Sequence, residues 1–249
     1  MKIVNAINVC TMKEKAMNNE KTTKVLFNRN PLVIGGSIEQ PPTNELKNTF
    51  GLWNASLDDA VRYGGEITRL ALRAMNIRHD RKHVIVDTKI HMLMKGMSPA
   101  IPGWHTDGAP RDNTKNPGGS GKPDIFAQEN DPRPNRYHLL VTGTGCLTKF
   151  VNSPLYVPIP SEPSYEVYNM MSQYVQDLTS KPVFRTMTVP SATVVEFDWW
   201  DIHTGVVASA NEWRYLIRVA ESDYYQPRSD LREIIRMQSQ VYAPTNFSW

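Results

Sequence analysis

Only two cysteines, Cys10 and Cys146, occur in 249 residues. A secreted chain held by a disulfide framework needs more than that, so both are read as free thiols in a reducing compartment. No run approaches the ~18 consecutive apolar residues of a membrane span. The opening MKIVNAINVC has one lysine and no long apolar stretch, so it does not read as a secretory signal. A cytoplasmic protein without membrane association is expected. Neither sign of charge dominates: 28 basic against 25 acidic residues leave a net +3, too little to imply a polyanionic partner. Internal repeats and low-complexity tracts are missing as well. The remainder, 40% apolar and 21% charged, is ordinary for a globular protein with a sizeable core.

The periodicity divides the chain into three stretches of one domain. Residues 1–50 read as an irregular arm that packs on the main body. Ser56 and Asp59 stand as N-cap and N3 of a helix. Leu57, Ala60, Val61, Gly64, Ile67, Leu70, Ala71 and Ala74 then recur at helical spacing. Gly64-Gly65 costs that helix about 1 kcal/mol per glycine relative to alanine. From residue 84 the period becomes two: VIVDTKIHMLMKG puts Val84, Val86, Thr88, Ile90, Met92 and Met94 on one side. RYHLLVTGTG, CLTKFV, PVFRTMTV, ATVVEFDWW, DIHTGVVAS and EWRYLIRVAES are also strand-like. SYEVYNMMSQYVQDLT is a second helix and DLREIIRMQSQ a last one. The expectation is a mainly β protein with flanking helices: arm and helix over 1–83, a sheet-rich core over 84–222, and a helix and tail over 223–249. Residues 108–135, rich in Gly, Pro and Asn, form a loop long enough to suggest function or disorder.

His105-Thr106-Asp107 is an H-x-D. Alternate residues of a strand share a face, so both side chains can reach one ion. Such a motif is common by chance and needs a third ligand further along, which His203 in FDWWDIHTG can supply. Two histidines and one carboxylate leave three metal positions open, an arrangement suited to non-haem Fe(II) oxygenases. The cysteine-rich set of a structural zinc site is absent. Of the other histidines, His138 reads as packed in an apolar strand. His79 and His83 flank a charged turn, and His91 falls opposite the apolar face of its strand.

If DIHTGVVAS and EWRYLIRVAES form a hairpin turning at Ala210-Asn211, His203 faces Arg218 and Val207 faces Arg214. His203, Arg214 and Arg218 then share one sheet face, while Tyr215, Ile217 and Val219 turn to the other and pack on a helix. Inward arginines need anions. Buried carboxylates such as Glu196 or Asp198 are one source. A small dicarboxylate is the other: Arg214 stands about 13 Å from the row of His203, within the span of a chelated 2-oxoglutarate and an extended arginine fork. Arg218 lies nearer the metal, for a second carboxylate or an acidic substrate group.

These residues together resemble the Fe(II)/2-oxoglutarate-dependent dioxygenase superfamily, whose pattern is H-x-D, a distant His, and an Arg about ten residues later. The spacing from His203 to Arg214 is similar to that in the phytanoyl-CoA and taurine dioxygenase groups. AIPGWHTDGAPR is similar to uncharacterised members from bacteria and bacteriophages. The resemblance implies a double-stranded β-helix (jelly-roll, cupin-like) core and an enzyme that uses Fe(II), 2-oxoglutarate and O₂ to hydroxylate a substrate, releasing succinate and CO₂. Segment 108–135 is then a candidate lid, and Trp104, Arg111 and Trp200 are candidates for the substrate pocket.

Two other classes fit parts of the pattern. A non-oxidative cupin-like isomerase, lyase or binding protein would use the metal but not the Arg214 clamp. A structural jelly roll would use neither. For substrate, a small molecule is the default, a nucleobase in DNA or RNA the main alternative and a protein side chain a third option. Lys13, Lys15, Lys21, Lys24 and Arg29 could track phosphates. The loop's Arg111, Lys115, Lys122, Arg133 and Arg136 are largely offset by Asp112, Asp124, Glu129 and Asp131.

Overall fold

A computed structural model describes residues 21–100, 102–114 and 119–236. Cys10, Lys13, Lys15, Lys115 and the end of the expected last helix lie outside them. In chain order the strands are β1 (Thr22–Phe27), β2 (Val33–Ser37), β3 (Gly51–Ser56), β4 (His83–Leu93), β5 (Arg136–Val141), β6 (Thr148–Val151), β7 (Leu155–Pro160), β8 (Thr186–Thr188), β9 (Thr193–Asp198), β10 (His203–Gly205), β11 (Glu212–Ser222) and β12 (Ile235–Arg236). They pair antiparallel throughout. A large sheet runs β12-β3-β4-β11-β5-β9-β2, a small one runs β10-β6-β8, and β1 pairs with β7. His105 bridges His203 and so extends the small sheet beyond β10.

The winding follows from this order. Take β4, the His105 segment, β5, β6, β8, β9, β10 and β11 as first to eighth. The large sheet then reads first-eighth-third-sixth, and the small sheet second-seventh-fourth-fifth. Successive strands cross from one sheet to the other, except the fourth and fifth, which are neighbours in the small sheet, and this winding is a double-stranded β-helix. Tyr137, Leu139 and Val141 of β5, Val195 and Phe197 of β9, and Phe150 and Val151 of β6 fill the space between the sheets. Val157 and Ile159 join them. Val167, Met171 and Val175, one turn apart on helix Val167–Thr179, cover that side.

A second core lies on the other face of the large sheet. Tyr215, Ile217 and Val219 of β11 and Val86 of β4 pack against Ala60, Ile67, Ala71 and Leu72. Burying each large apolar side chain there contributes about 1.5–3 kcal/mol relative to leaving it exposed. Ser56 caps the chain's turn into this layer, accepting from Asp59 N at 3.1 Å. The expected single helix is two, Leu57–Tyr63 and Gly65–Ala74. The break sits at the glycine pair. Gly65 has φ +78, and a Cβ on Gly64 would stand 2.6 Å from both Ala60 O and Thr68 Cγ2. Thr68 Oγ1 instead donates to Gly64 O at 2.6 Å and pairs with Tyr215 Oη at 2.8 Å. The kink thus seats the helix on β11, and it leaves Val61 and Leu70 exposed.

Other expectations also change. The described part of the arm is not irregular, since it supplies β1, β2 and helix Thr43–Lys47. β2 is an exposed edge strand with a register shift between Ile34 and Ser37, so it has no buried face to leave a periodic trace. β7 contains Pro158 and Pro160 but has a single partner, where a missing N–H is tolerated. The last helix spans only Leu231–Ile234, and Ile235–Arg236 then pairs with β3. The hairpin does not form. β11 lies between β4 and β5 in the large sheet, while β10 pairs with β6 in the small one. His203 and Arg214 therefore face one another across the interior instead of lining one sheet face. No helix among the described residues is long and apolar enough to cross a membrane.

Candidate metal centre

His105 and His203 sit on neighbouring segments tied by His105 N to His203 O at 3.0 Å and His203 N to His105 O at 2.9 Å. That register brings the rings to 4.7 Å between centroids. Asp107, two residues on, shares the face of His105. Ligand atoms of His105, Asp107 and His203 all lie within 4.8 Å of one another, the one such cluster among the described residues. Nδ1 of His105 lies 2.9 Å from Gly103 O, and Nδ1 of His203 lies 3.0 Å from Asp201 O. Carbonyls can only accept, so each ring places its proton on Nδ1 and offers Nε2 as a lone pair. Burial takes His203 down to about 4 against the opposing pull of the Asp107 carboxylate, with His105 adding to the lowering, and this keeps it neutral near pH 7.

Asp107 is held by the large sheet. Arg218 donates from Nη1 to Asp107 Oδ2 and from Nη2 to Asp87 Oδ2, each at 2.8 Å. Burial alone would raise the Asp107 carboxyl, but Arg218 and the two histidines hold it far below the ordinary carboxylate range. Asp87 also accepts from Asn54 N at 2.8 Å. Directly after the carboxylate the chain must turn away: Gly108 has φ +78, and a Cβ there would stand 1.9 Å from Tyr137 Oη. Neutral Nε2 donors, an ionised carboxylate and a shared opening make this donor set suitable for a divalent transition metal.

Two cavities meet at the triad. The inner one, about 180 Å³, is lined by His105, Asp107 and His203 together with Arg214, Leu216, Thr148 and Lys89. The outer cleft, about 870 Å³, is lined by His105 and Asp107 with Trp104, Arg111, Tyr137, Tyr168, Tyr225 and Lys89, among others. The outer volume matches ligand clefts in general, and the inner one suits a small organic acid.

Arg214 is only 1% exposed. Its Nε donates to Cys146 O at 2.8 Å, while Nη1 is buried with no hydrogen-bond partner. It forms no ion pair among the described residues. The carboxylates considered as partners are engaged elsewhere: Glu196 pairs with Arg78, and Asp198 accepts from Asn30. Burial pulls the Arg214 guanidinium below its ordinary value.

The structure brings His105, Asp107, His203, Arg214 and Arg218 together around the inner cavity and places Trp104 and Arg111 on the outer cleft. Trp200 is a correction. Its ring packs edge-on against Phe27 at 5.7 Å and under Arg29 at 3.5 Å, and it lines neither cavity. The loop also differs from a free lid. Ile125 and Gln128 of helix Ile125–Glu129 are buried, and Gln128 Nε2 donates to Trp199 O at 2.9 Å. Asp87, Lys89, Tyr168 and Tyr225 were missed. The signal was present in β4, where Asp87, Lys89 and His91 alternate with the apolar set. That polar stripe looks like a solvent face, yet it lines the interior beside the metal centre.

No family model matches the chain, and no curated protein matches it. Among solved structures it is similar to an oxidoreductase of the 2OG-Fe(II) oxygenase family from Burkholderia pseudomallei, at 10% identity and a TM-score of 0.29, over 90% of this chain and 83% of that one. A likeness so distant carries no argument.

Proposed function

We propose that the protein is an Fe(II)- and 2-oxoglutarate-dependent oxygenase that hydroxylates a small-molecule substrate. The observation that carries this reading is the buried, anion-less guanidinium of Arg214, lining the same inner cavity as the open side of the His105–Asp107–His203 triad. A buried cation without a counter-charge is costly. A 2-oxo dicarboxylate would answer both features, since the triad would hold a metal for its keto-acid group and Arg214 would hold its other carboxylate. A non-oxidative cupin-like site has no use for that clamp, and a purely structural jelly roll has no use for either feature.

Iron(II), 2-oxoglutarate and O₂ together would supply the oxidant that places one oxygen atom in a substrate C–H bond, with succinate and CO₂ as coproducts. The chain's own residues do the rest. His105 and His203 present Nε2 in a fixed tautomer. Arg218 holds Asp107 ionised and oriented. The small inner cavity keeps the cosubstrate apart from the wider cleft where the substrate enters, so each can be positioned and water limited.

The test is spectroscopic. Under anaerobic conditions Fe(II) plus 2-oxoglutarate should give a weak visible charge-transfer band that disappears in His105→Ala. In Arg214→Met it should require far more 2-oxoglutarate. Losing one side of a buried charge pair costs about 2–5 kcal/mol, or roughly 30- to several-thousand-fold in affinity. A protein that binds Fe(II) but shows no 2-oxoglutarate-dependent band would overturn the reading.

A further inference from the structure

Resting on that reading of the triad as a catalytic centre, we propose that the substrate carries an anionic group held by Lys89, with a flat apolar body among the rings of the outer cleft. Lys89 projects from β4 on the face shared with Asp87 and His91. In register it stands opposite Leu216, between the rows of Arg218 and Arg214. It lines both cavities, so it sits where the inner chamber opens into the cleft.

Position and charge together mark it out, since Arg111 lines the outer cleft but not the inner cavity. The carboxylates on the cleft wall, Asp87 and Asp107, are both bound by Arg218. Arg228 at the rim pairs with Glu233. The Lys89 ammonium makes no hydrogen bond or ion pair among the described residues, although Asp87 is its neighbour on the same strand face. Burial, and then the nearby Arg218, pull the Lys89 ammonium below its ordinary value. An anion arriving in the cleft would relieve both effects. Arg214 already serves the inner cavity, so the surplus cation at the junction is available to the molecule in the outer cleft.

The rest of the recognition is aromatic. Tyr168 meets the His105 ring edge-on at 6.5 Å. Tyr225 and Trp104 line the same cleft, and exposed Trp53 stands at its mouth with Arg228 at 4.1 Å from its ring. Flat apolar surfaces of this kind favour stacked or edge-on rings. Carboxylate and phosphate monoester share the chemistry that Lys89 recognises, and the experiment separates them.

Phenylacetate, phenyl phosphate and neutral phenylacetamide can be titrated while following tryptophan fluorescence. The titrations are run on the metal-free protein and again anaerobically with Fe(II) and 2-oxoglutarate. At least one anion should bind about tenfold or more tightly than the amide, and which anion does so identifies the group. In Lys89→Met that preference should vanish, with the 2-oxoglutarate-dependent band retained and the melting temperature no lower than in the wild type. Equal binding of amide and anions, or no binding of either anion, would overturn the proposal. So would loss of the 2-oxoglutarate band in Lys89→Met, which would assign Lys89 to the cosubstrate. If the wild-type band never forms yet the Lys89-dependent preference does, the anion site stands and the oxygenase reading falls.

Discussion

On one face of β11 stand Tyr215, Ile217 and Val219, packed against two helices. On the other stand Arg214, Leu216 and Arg218, which line the cavities around the triad. β4 repeats the division, with Val86 and Thr88 on the helix side and Asp87 and Lys89 on the cavity side. The period of two in a strand allows one segment to do both jobs. The helix side supplies burial energy, and this lets the cavity side keep a guanidinium and an ammonium without protein counter-charges. If the division is real, substitutions on the helix face should move stability alone, and those on the cavity face should move ligand binding first.

The strongest challenge comes from the polar end of the helix face. Glu221 is fully buried and accepts from Arg136 Nε and from His138 Nε2, both at 2.9 Å, and from the backbone N–H groups of Arg78 and His79. Burial alone would raise its carboxyl, but hydrogen bonds from His138 and Arg136 hold it down at about 2. Breaking such a buried pair costs about 3–5 kcal/mol, so Glu221→Gln should lower the unfolding free energy by that order near pH 7. The folded carboxyl lies below its unfolded value, so its stabilisation is full above about 4.5 and fades as pH falls toward about 2. The gap between wild type and variant in denaturant melts should therefore narrow over that window. Metal affinity should stay within about twofold, and a larger change would mean that the two faces are coupled.

The same comparison explains what could be read from the chain. His105, Asp107, His203 and Arg214 announce themselves through residue type, because few structural roles need two histidines, a carboxylate and an inward arginine at such spacing. A sheet-rich core was legible from strand-like runs that change period after the first helix, while its jelly-roll winding was implied only by the family resemblance. Pairing was not. That β10 joins β6 and the His105 segment, and not β11, depends on long-range contacts that no local window contains. The cavity face of β4 was hidden for another reason. Alternating Asp87, Lys89 and His91 look like solvent-facing residues, and only the opposing sheet makes that side an interior.

A smaller effect is expected in the helix-face core. Ile217 is fully buried between Tyr215 and Val219 in the second core. Ile217→Ala should cost about 2–5 kcal/mol through lost transfer energy and an incompletely closed cavity. Thermal melts would register that loss. Anaerobic titration of Fe(II) and 2-oxoglutarate below the melting range should give wild-type affinities. Weakened cosubstrate binding in this variant would show that the packing behind β11 sets the position of Arg214, and the simple division into faces would fail.

The mildest change sharpens the cavity side. Arg218 touches no metal position itself. It bridges Asp107 and Asp87, so it fixes the direction of one ligand and screens two carboxylates from each other. In Arg218→Met the fixed ligand is released and two like charges are left on one wall. Partners that orient metal ligands typically account for about 10–100-fold in affinity. Fe(II) affinity, measured anaerobically by competition with a coloured chelator, should fall by that factor. The screening argument adds a second expectation. The metal-free variant should be less stable than the wild type, because two largely buried carboxylates are left without their shared cation. An unchanged Fe(II) affinity would reduce Arg218 to a packing residue, and Asp107 would then owe its orientation to the turn at Gly108 alone.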